Sequence, residues 1–452
     1  MIALHFGYIG TDYLGLQKQA SELTTDASTL ETALEGAIYN IGGILDSNRG
    51  NLGRLRWSRS SRTDKQVHSL ATVIGMKLEC DPASFESDPE GIDLANQINS
   101  HLPRQLRVFS LQRAPKSFNA RMLCDQRTYD YYLPASLLPQ PHNDSLKLLE
   151  AAWKLYEGTH PFHCYTTRRL YRGDHGKQKK GKQTAVIEQE DEEEEEHEII
   201  DDGMPLPDME DITRNTSITP APHQTTLSSS SLPLRKVSLE WKGTPDTSDL
   251  VTPRHYRTMR LMECSPEIIS LGTDSNCGSG TASVPCVKLS VTGSSFMIRQ
   301  IRHMVGGAVA VARGEISLEL LEASMAIPAR ISSLPLAPPS TLMLAGNTFR
   351  PFRRSWDGRL ARSADTTGEV LMLRERGVEE REMFWREQLM PAVGQLLRGE
   401  EWESWESDLG RRYVDEGEVE VFVGMYREWI AAKKEREREE MMTGKRVKKV
   451  LE

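Results

Sequence analysis

Apolar side chains recur at every second position in Ile2, Leu4, Phe6 and Tyr8, so the chain opens on a predicted strand. The same period predicts strands near 105–113 and 126–133. Over 284–292, Val287, Leu289 and Val291 alternate with Lys288, Ser290 and Thr292. A helical pattern surrounds Ser28–Ile41, and a second helix is expected from about Phe296 to Ala312. Phe296, Ile301, Met304, Val305 and Ala308 supply its apolar side, and Ser294 and Ser295 are its N-cap candidates. The segments 254–271 and 284–292 read as paired strands joined by the Gly- and Ser-rich connector 272–283, a long hairpin.

Residues 1–167 thus form a first ordered block of mixed α and β, and order resumes at 254. Between them, from Arg168 to about Pro253, the chain carries Lys177, Lys179, Lys180 and Lys182, then an acidic run, then Pro220, Pro222 and Ser228–Ser231. Such a segment buries too little apolar surface to offset chain entropy. It is expected to be a disordered insertion, with a short strand near Arg235–Trp241. From Phe352 onward the chain is charged and helix-prone, ending in alternating Glu and Arg and then KRVKK at 445–449. A peripheral helical tail with a frayed end is expected. KRVKK has the composition of a nuclear import signal, which points to the nucleus, with an organelle or the cytoplasm as alternatives.

The 452 residues leave room for two domains or one two-lobed domain with appendages. Hydrophobic residues make up 38%, and the mean hydropathy is −0.49, as for a soluble protein with a core plus segments outside it. The longest strongly apolar stretch, around Val305–Ala312, is too short to span a bilayer, so no membrane partner is expected. The formal net charge is −9, but Glu188–Asp211 holds 14 acidic residues and no Lys or Arg. Setting those 14 acids aside turns −9 into +5, a mildly basic body compatible with an anionic partner such as nucleic acid. Six cysteines show no C-x-x-C pair and no zinc-site spacing, so no metal is expected and the thiols read as reduced and intracellular. The chain runs straight into its first strand, and no N-terminal targeting peptide is expected.

Three windows could carry chemistry. In LRWSRSSRTDKQVHS (55–69) one carboxylate, Asp64, sits among Arg56, Arg59, Arg62, Lys65 and His68. A guanidinium about 4 Å away is worth on the order of 4 kcal/mol at an effective dielectric near 20, and lowers a carboxylate pKa by about 1–3. Asp64 should stay ionised, which suits a nucleophile or base rather than a general acid. The bland alternative is a basic loop whose aspartate only orders its arginines. In QRTYDYYLP (126–134) Arg127, Tyr129 and Tyr131 share one face of a strand; an aromatic there can stack a base while arginine holds phosphate, or can simply pack in a sheet. In GSSFMIRQIRHMVGGAVAVARG (293–314) Arg299, Arg302 and His303 fall on one side of a helix close to its junction with a strand. Gly306 and Gly307 suggest close packing against another element. A solvated helix face is the competing reading of the arginines.

Taken in this order, the windows resemble the TruA family of tRNA pseudouridine synthases. GYIGTDYLGLQ (7–17) is similar to the family's opening strand and loop, SRTDKQVHS (61–69) to its arginine-threonine-aspartate motif, and FNARMLCDQRTYDYYL (118–133) to its tyrosine motif. FHCYTT (162–167), the helix at 293–314 and SLPLAPPSTLML (333–344) complete the set. The eukaryotic multi-site branch is closer in pattern than the compact bacterial enzyme. The resemblance implies that Asp64 is the essential aspartate and that Arg62, preceding it in the motif, Tyr129, stacking on the target base, and Arg302, pairing with the aspartate, bind the substrate. It implies a uridine in tRNA converted to pseudouridine without cofactor, on a nucleotide flipped out of its stack to reach a buried carboxylate. Other structured RNA is a further candidate partner, and both monomer and homodimer fit.

The implied fold is α+β, with two similar α/β halves that share a central, mainly antiparallel sheet, helices outside and a positively charged cleft between them. Its domains would be 1–115, the N-terminal catalytic half carrying Asp64; 116–350, the C-terminal half interrupted by the acidic insertion at about 168–253; and 351–452, a charged helical C-terminal extension. Two positions depart from the family: Gln66 stands where glycine is frequent, and Cys164 where asparagine is frequent. The competing functions are a non-catalytic RNA-binding module that keeps the synthase fold, and a hydrolase with a second carboxylate about 5–10 Å from Asp64.

Overall fold

The computed structural model describes residues 1–18, 29–81, 83–166, 234–243, 249–272, 283–332, 334–351 and 371–443. Ten strands form one sheet: β1 (Ile2–Tyr8), β2 (Ser58–Arg59), β3 (His68–Met76), β4 (Leu106–Arg113), β5 (Cys124–Pro134), β6 (Gly158–Pro161), β7 (Tyr256–Cys264), β8 (Ile269–Leu271), β9 (Val284–Gly293) and β10 (Leu342–Phe349). Their order is β4-β1-β3-β10-β5-β9-β7-β6, with β2 added to β3 and β8 to β9. Neighbours pair antiparallel except at one seam, where β10 runs parallel to β3 with Met343 opposite His68 and Leu344 opposite Ser69. The protein is therefore a mixed α/β fold built on a large mixed sheet.

All seven residues of β1 are buried, which requires cover on both faces. Ile2, Leu4, Phe6 and Tyr8 pack with residues of the helices α1 (Leu30–Asn40) and α2 (Ile92–Asn99), while Ala3 joins Val73, Phe118 and Phe349 in a separate cluster. The expected helix at Ser28–Ile41 begins at Leu30, where the Thr29 side chain accepts from the Thr32 amide at 3.4 Å. Farther along, α3 (His142–Lys154) and α4 (Gln300–Ala312) pack together. A Cβ on Gly306 would lie 2.2 Å from the Pro335 carbonyl oxygen, so this glycine permits the close approach anticipated for it.

Three expectations need correction. The helix after β9 starts at Gln300, not Phe296, and neither Ser294 nor Ser295 caps it. Residues 294–299 form a loop that ends in a turn at 298–299 instead: the Gln300 side chain accepts from the Met297 amide at 2.9 Å, and Arg299 enters the helix in the left-handed region, φ 60°. Arg299 therefore stands at the cap, outside the helix that carries Arg302. Second, the chain joins the fold before 254, and the short strand expected near Arg235–Trp241 is present. Leu239–Trp241 pairs with Ala329–Ile331, and the Trp241 ring meets Phe422 edge-on at 5.4 Å. The acidic run itself, the centre of the predicted hairpin connector and KRVKK lie outside the described residues.

Third, the C-terminal extension is not peripheral. Its helices α5 (Glu375–Phe384), α6 (Met390–Leu396), α7 (Glu400–Arg411) and α8 (Glu416–Thr443) send Phe384, Val393, Trp402, Trp405, Leu409 and Phe422 into the same core as Tyr131, Trp153 and Met304. Among the described residues of the extension, 431–442 at the end of α8 are all exposed. No helix among the described residues is long and apolar enough to cross a membrane.

Candidate active site

The loop between β2 and β3 presents Asp64 on a tight turn, closed by the Val67 amide donating to the Asp64 carbonyl at 3.2 Å. Gln66, third residue of that turn, has φ 68°, the left-handed conformation for which glycine is the usual solution. Thr63 and Val67 point inward and are buried, so the residues between them are turned outward. Asp64 is consequently exposed, as is Arg62; the expected buried carboxylate is corrected to one standing at the surface of the site.

The opening motif braces this loop from behind. A Cβ on Gly10 would sit 2.2 Å from the Val67 carbonyl oxygen, the Leu16 amide donates to Thr63 O at 3.2 Å, and Tyr8 Oη lies 2.7 Å from Thr63 Oγ1. His68 pins the start of β3. Its Nδ1 accepts from the Gly10 amide at 3.0 Å, so its Nε2 carries the proton donated to the Ser340 carbonyl at 2.6 Å. Burial pushes the His68 pKa down to about 4, and the ring is neutral.

That removes one of the five cations read around Asp64, and two more are committed elsewhere. Arg59 makes two bonds to the fully buried carboxylate of Glu31, 2.6 and 3.0 Å, and Arg56 donates to the Lys116 carbonyl at 3.2 Å. On the loop itself Arg62 and Lys65 remain beside the aspartate. The further cation comes from α4: Arg302 is half-buried, with its Nε donating to Ala337 O at 2.6 Å. Burial lowers its pKa, while the charges of Tyr131, Asp64 and Glu401 oppose that shift and Arg299 adds to it.

Tyr129, opposite Val291 and Leu344 in the sheet, is 6% exposed. Its hydroxyl lies 2.6 Å from Ser61 Oγ, and Phe296 meets its ring edge-on at 5.2 Å. Burial raises its pKa to about 12, and the charge of Asp64 adds to the rise. Asp64 thus lies within electrostatic reach of both Tyr129 and Arg302, and three elements distant in sequence converge. Arg127, for which holding phosphate and packing in the sheet were both open, is a clamp: its Nε donates to Ser60 O at 2.8 Å and its Nη1 to Ser294 O at 2.5 Å, tying the aspartate loop to the junction before α4.

Sequence reasoning missed Ser61 and Phe296 as partners of Tyr129, although both lie inside the windows it singled out. It missed Glu401 altogether, since that residue sits in a helix read as a tail. Among the described residues no group of three or more His, Cys, Asp or Glu could hold a metal ion.

Comparison with known proteins adds an independent line. Residues 239–349 match the family model described as tRNA pseudouridine synthase. The chain is similar to tRNA pseudouridine synthase 1 of Candida albicans, 36% identical over 155 residues, covering 34% of this chain and 23% of the relative. It is similar to tRNA pseudouridine synthase 1 of Yarrowia lipolytica, 26% identical over 390 residues, 80% of this chain and 66% of the relative. With the Pseudouridylate synthase 1 homolog of Homo sapiens it shares 30% identity over 179 residues, 37% of this chain and 39% of the relative. The chain spans less than two thirds of the length of each of these relatives.

Proposed function

We propose that this chain belongs to the TruA family of tRNA pseudouridine synthases, in its eukaryotic branch, and isomerises uridines in tRNA to pseudouridine with Asp64 as the essential carboxylate. What supports the reading is that Asp64, on a loop, lies within electrostatic reach of Tyr129 on a strand and Arg302 on a helix, with the Tyr129 hydroxyl bonded to Ser61 of the same loop. The bonds balance within one nucleotide: C1′–N1 breaks, C1′–C5 forms, C5 loses its proton and N1 gains one. No electrons enter or leave, so the chemistry asks only for a carboxylate, a place to hold free uracil and a way to exclude water.

Each residue has a part in that scheme. Asp64, exposed on a rigid turn, acts on a nucleotide flipped from its stack. Arg302 holds the carboxylate ionised and oriented, and Tyr129 stacks on the detached base, held in place by Ser61 and Phe296. Arg62, exposed beside Asp64, grips the RNA backbone. The tRNA would lie in a positive cleft between two similar halves, 1–115 and 116–350, with 351–452 as an extension. Import through KRVKK would place the reaction in the nucleus.

The test measures tritium release from C5-labelled uridine in tRNA. Asp64→Ala is expected to abolish release while tRNA affinity stays within about threefold. Pseudouridine formed by that variant would sink the assignment of the aspartate. A wild-type protein that binds tRNA without releasing tritium would make the chain a non-catalytic RNA-binding module.

A further inference from the structure

Between α4 and β10 the segment Ala337–Thr341 is held by side chains from the elements that build the site. Arg302 Nε donates to Ala337 O at 2.6 Å, Tyr131 Oη to Pro338 O at 2.9 Å and His68 Nε2 to Ser340 O at 2.6 Å. A further hold comes from the C-terminal extension, where Ser340 Oγ donates to the Glu401 carboxylate in the first turn of α7. The adjoining Trp402 is 5% exposed and meets the Tyr131 ring edge-on at 6.3 Å. The place of Glu401 is thereby set by core packing, not by a free surface rotamer.

We propose that Glu401 is a positioning residue for Asp64, acting through Ser340 and Arg302. This rests on the isomerase reading above. The carboxyl groups of Asp64 and Glu401 both lie within electrostatic reach of the same half-buried guanidinium, and Tyr131 and Arg299 also act on it. The charge of Glu401 therefore acts with the Ala337 carbonyl to fix where the Arg302 guanidinium stands beside Asp64. Through Ser340 it also steadies the segment that fixes Arg302 and His68. A helix outside the sheet thus reaches the chemistry through two intervening side chains.

The experiment compares Glu401→Gln with wild type in full-length protein, using single-turnover tritium release, tRNA affinity and thermal melting. Glutamine keeps the shape and the oxygen that accepts from Ser340 but removes the charge. The expected result is a single-turnover rate lowered about fivefold or more with tRNA affinity within about twofold, and a melting temperature within about a degree of wild type. Ser340→Ala should lower the rate in the same direction by a smaller factor. A Glu401→Gln rate within about twofold of wild type would overturn the proposal, as would a loss confined to tRNA affinity or one matched by the fraction unfolded. A wild-type protein that forms no pseudouridine would overturn the functional reading and this inference with it, so the two failures are distinct.

Discussion

Gln66 carries a left-handed backbone at the turn that presents Asp64, φ 68°, and pays for it in strain. For a residue with a Cβ that conformation costs roughly 1–2 kcal/mol, partly offset by the smaller entropy such a residue loses on folding. Gln66→Gly is therefore expected to raise unfolding free energy by up to about 1 kcal/mol and to leave tritium release unchanged, as read from urea midpoints and single-turnover rates. A drop in stability would mean that the Gln66 side chain makes contacts worth more than the strain. This departure was legible in the sequence, because a non-glycine two residues after the aspartate has no easy way to close the turn. The exposure of Asp64 was not legible, since it follows from Thr63 and Val67 both turning inward against the opening loop. Nor was the fate of its arginines: a run of like charges says nothing about which one meets Glu31 across the fold.

Among the elements, α7 overturns the idea of a loose tail. Trp402, Trp405 and Leu409 follow i, i+3, i+7 spacing and are all buried, but four acidic side chains between Glu400 and Glu406 hide that stripe from a reading by composition. Trp402 Nε1 donates to Leu396 O at 2.9 Å while its ring packs on Tyr131 and Trp405. Trp402→Ala is expected to cost about 3–5 kcal/mol, the range for removing a buried tryptophan, in a denaturant titration. A truly peripheral helix would give less than about 0.5 kcal/mol. The strands were easier to foresee. β5 and β9 came within two residues of their predicted limits, because a two-residue period survives in a sheet whose faces are unequally covered. The start of α4 was misplaced because serines before an apolar run look like caps, whereas here the Gln300 side chain closes the turn and Arg299 takes the cap.

At the scale of the whole molecule, three buried histidines and the half-buried His303 share one electrostatic condition. Burial pushes His5, His68, His163 and His303 each down to about 4. In the unfolded chain a histidine titrates near 6.5, so between about 6.5 and 4 the unfolded state binds protons that the folded state refuses. Their contribution to stability is complete above about pH 6.5 and is lost as the pH falls toward 4. Urea midpoints should be flat from pH 8 to 7 and then decline, with a limiting slope approaching four protons; a flat profile down to pH 4.5 would show that these rings are not held neutral.

The sequence by itself determined the local alternations that make strands, the turn that strains at Gln66, and the motifs holding Asp64, Tyr129 and Arg302, because each depends on neighbours a few residues apart. Tertiary structure alone decided that β10 closes the sheet against β3, that the cations about Asp64 are mostly engaged elsewhere, and that a C-terminal carboxylate reaches Arg302's surroundings. Those contacts join residues as far apart as Met343 and His68, and their energy comes from burial and pairing that no local pattern encodes.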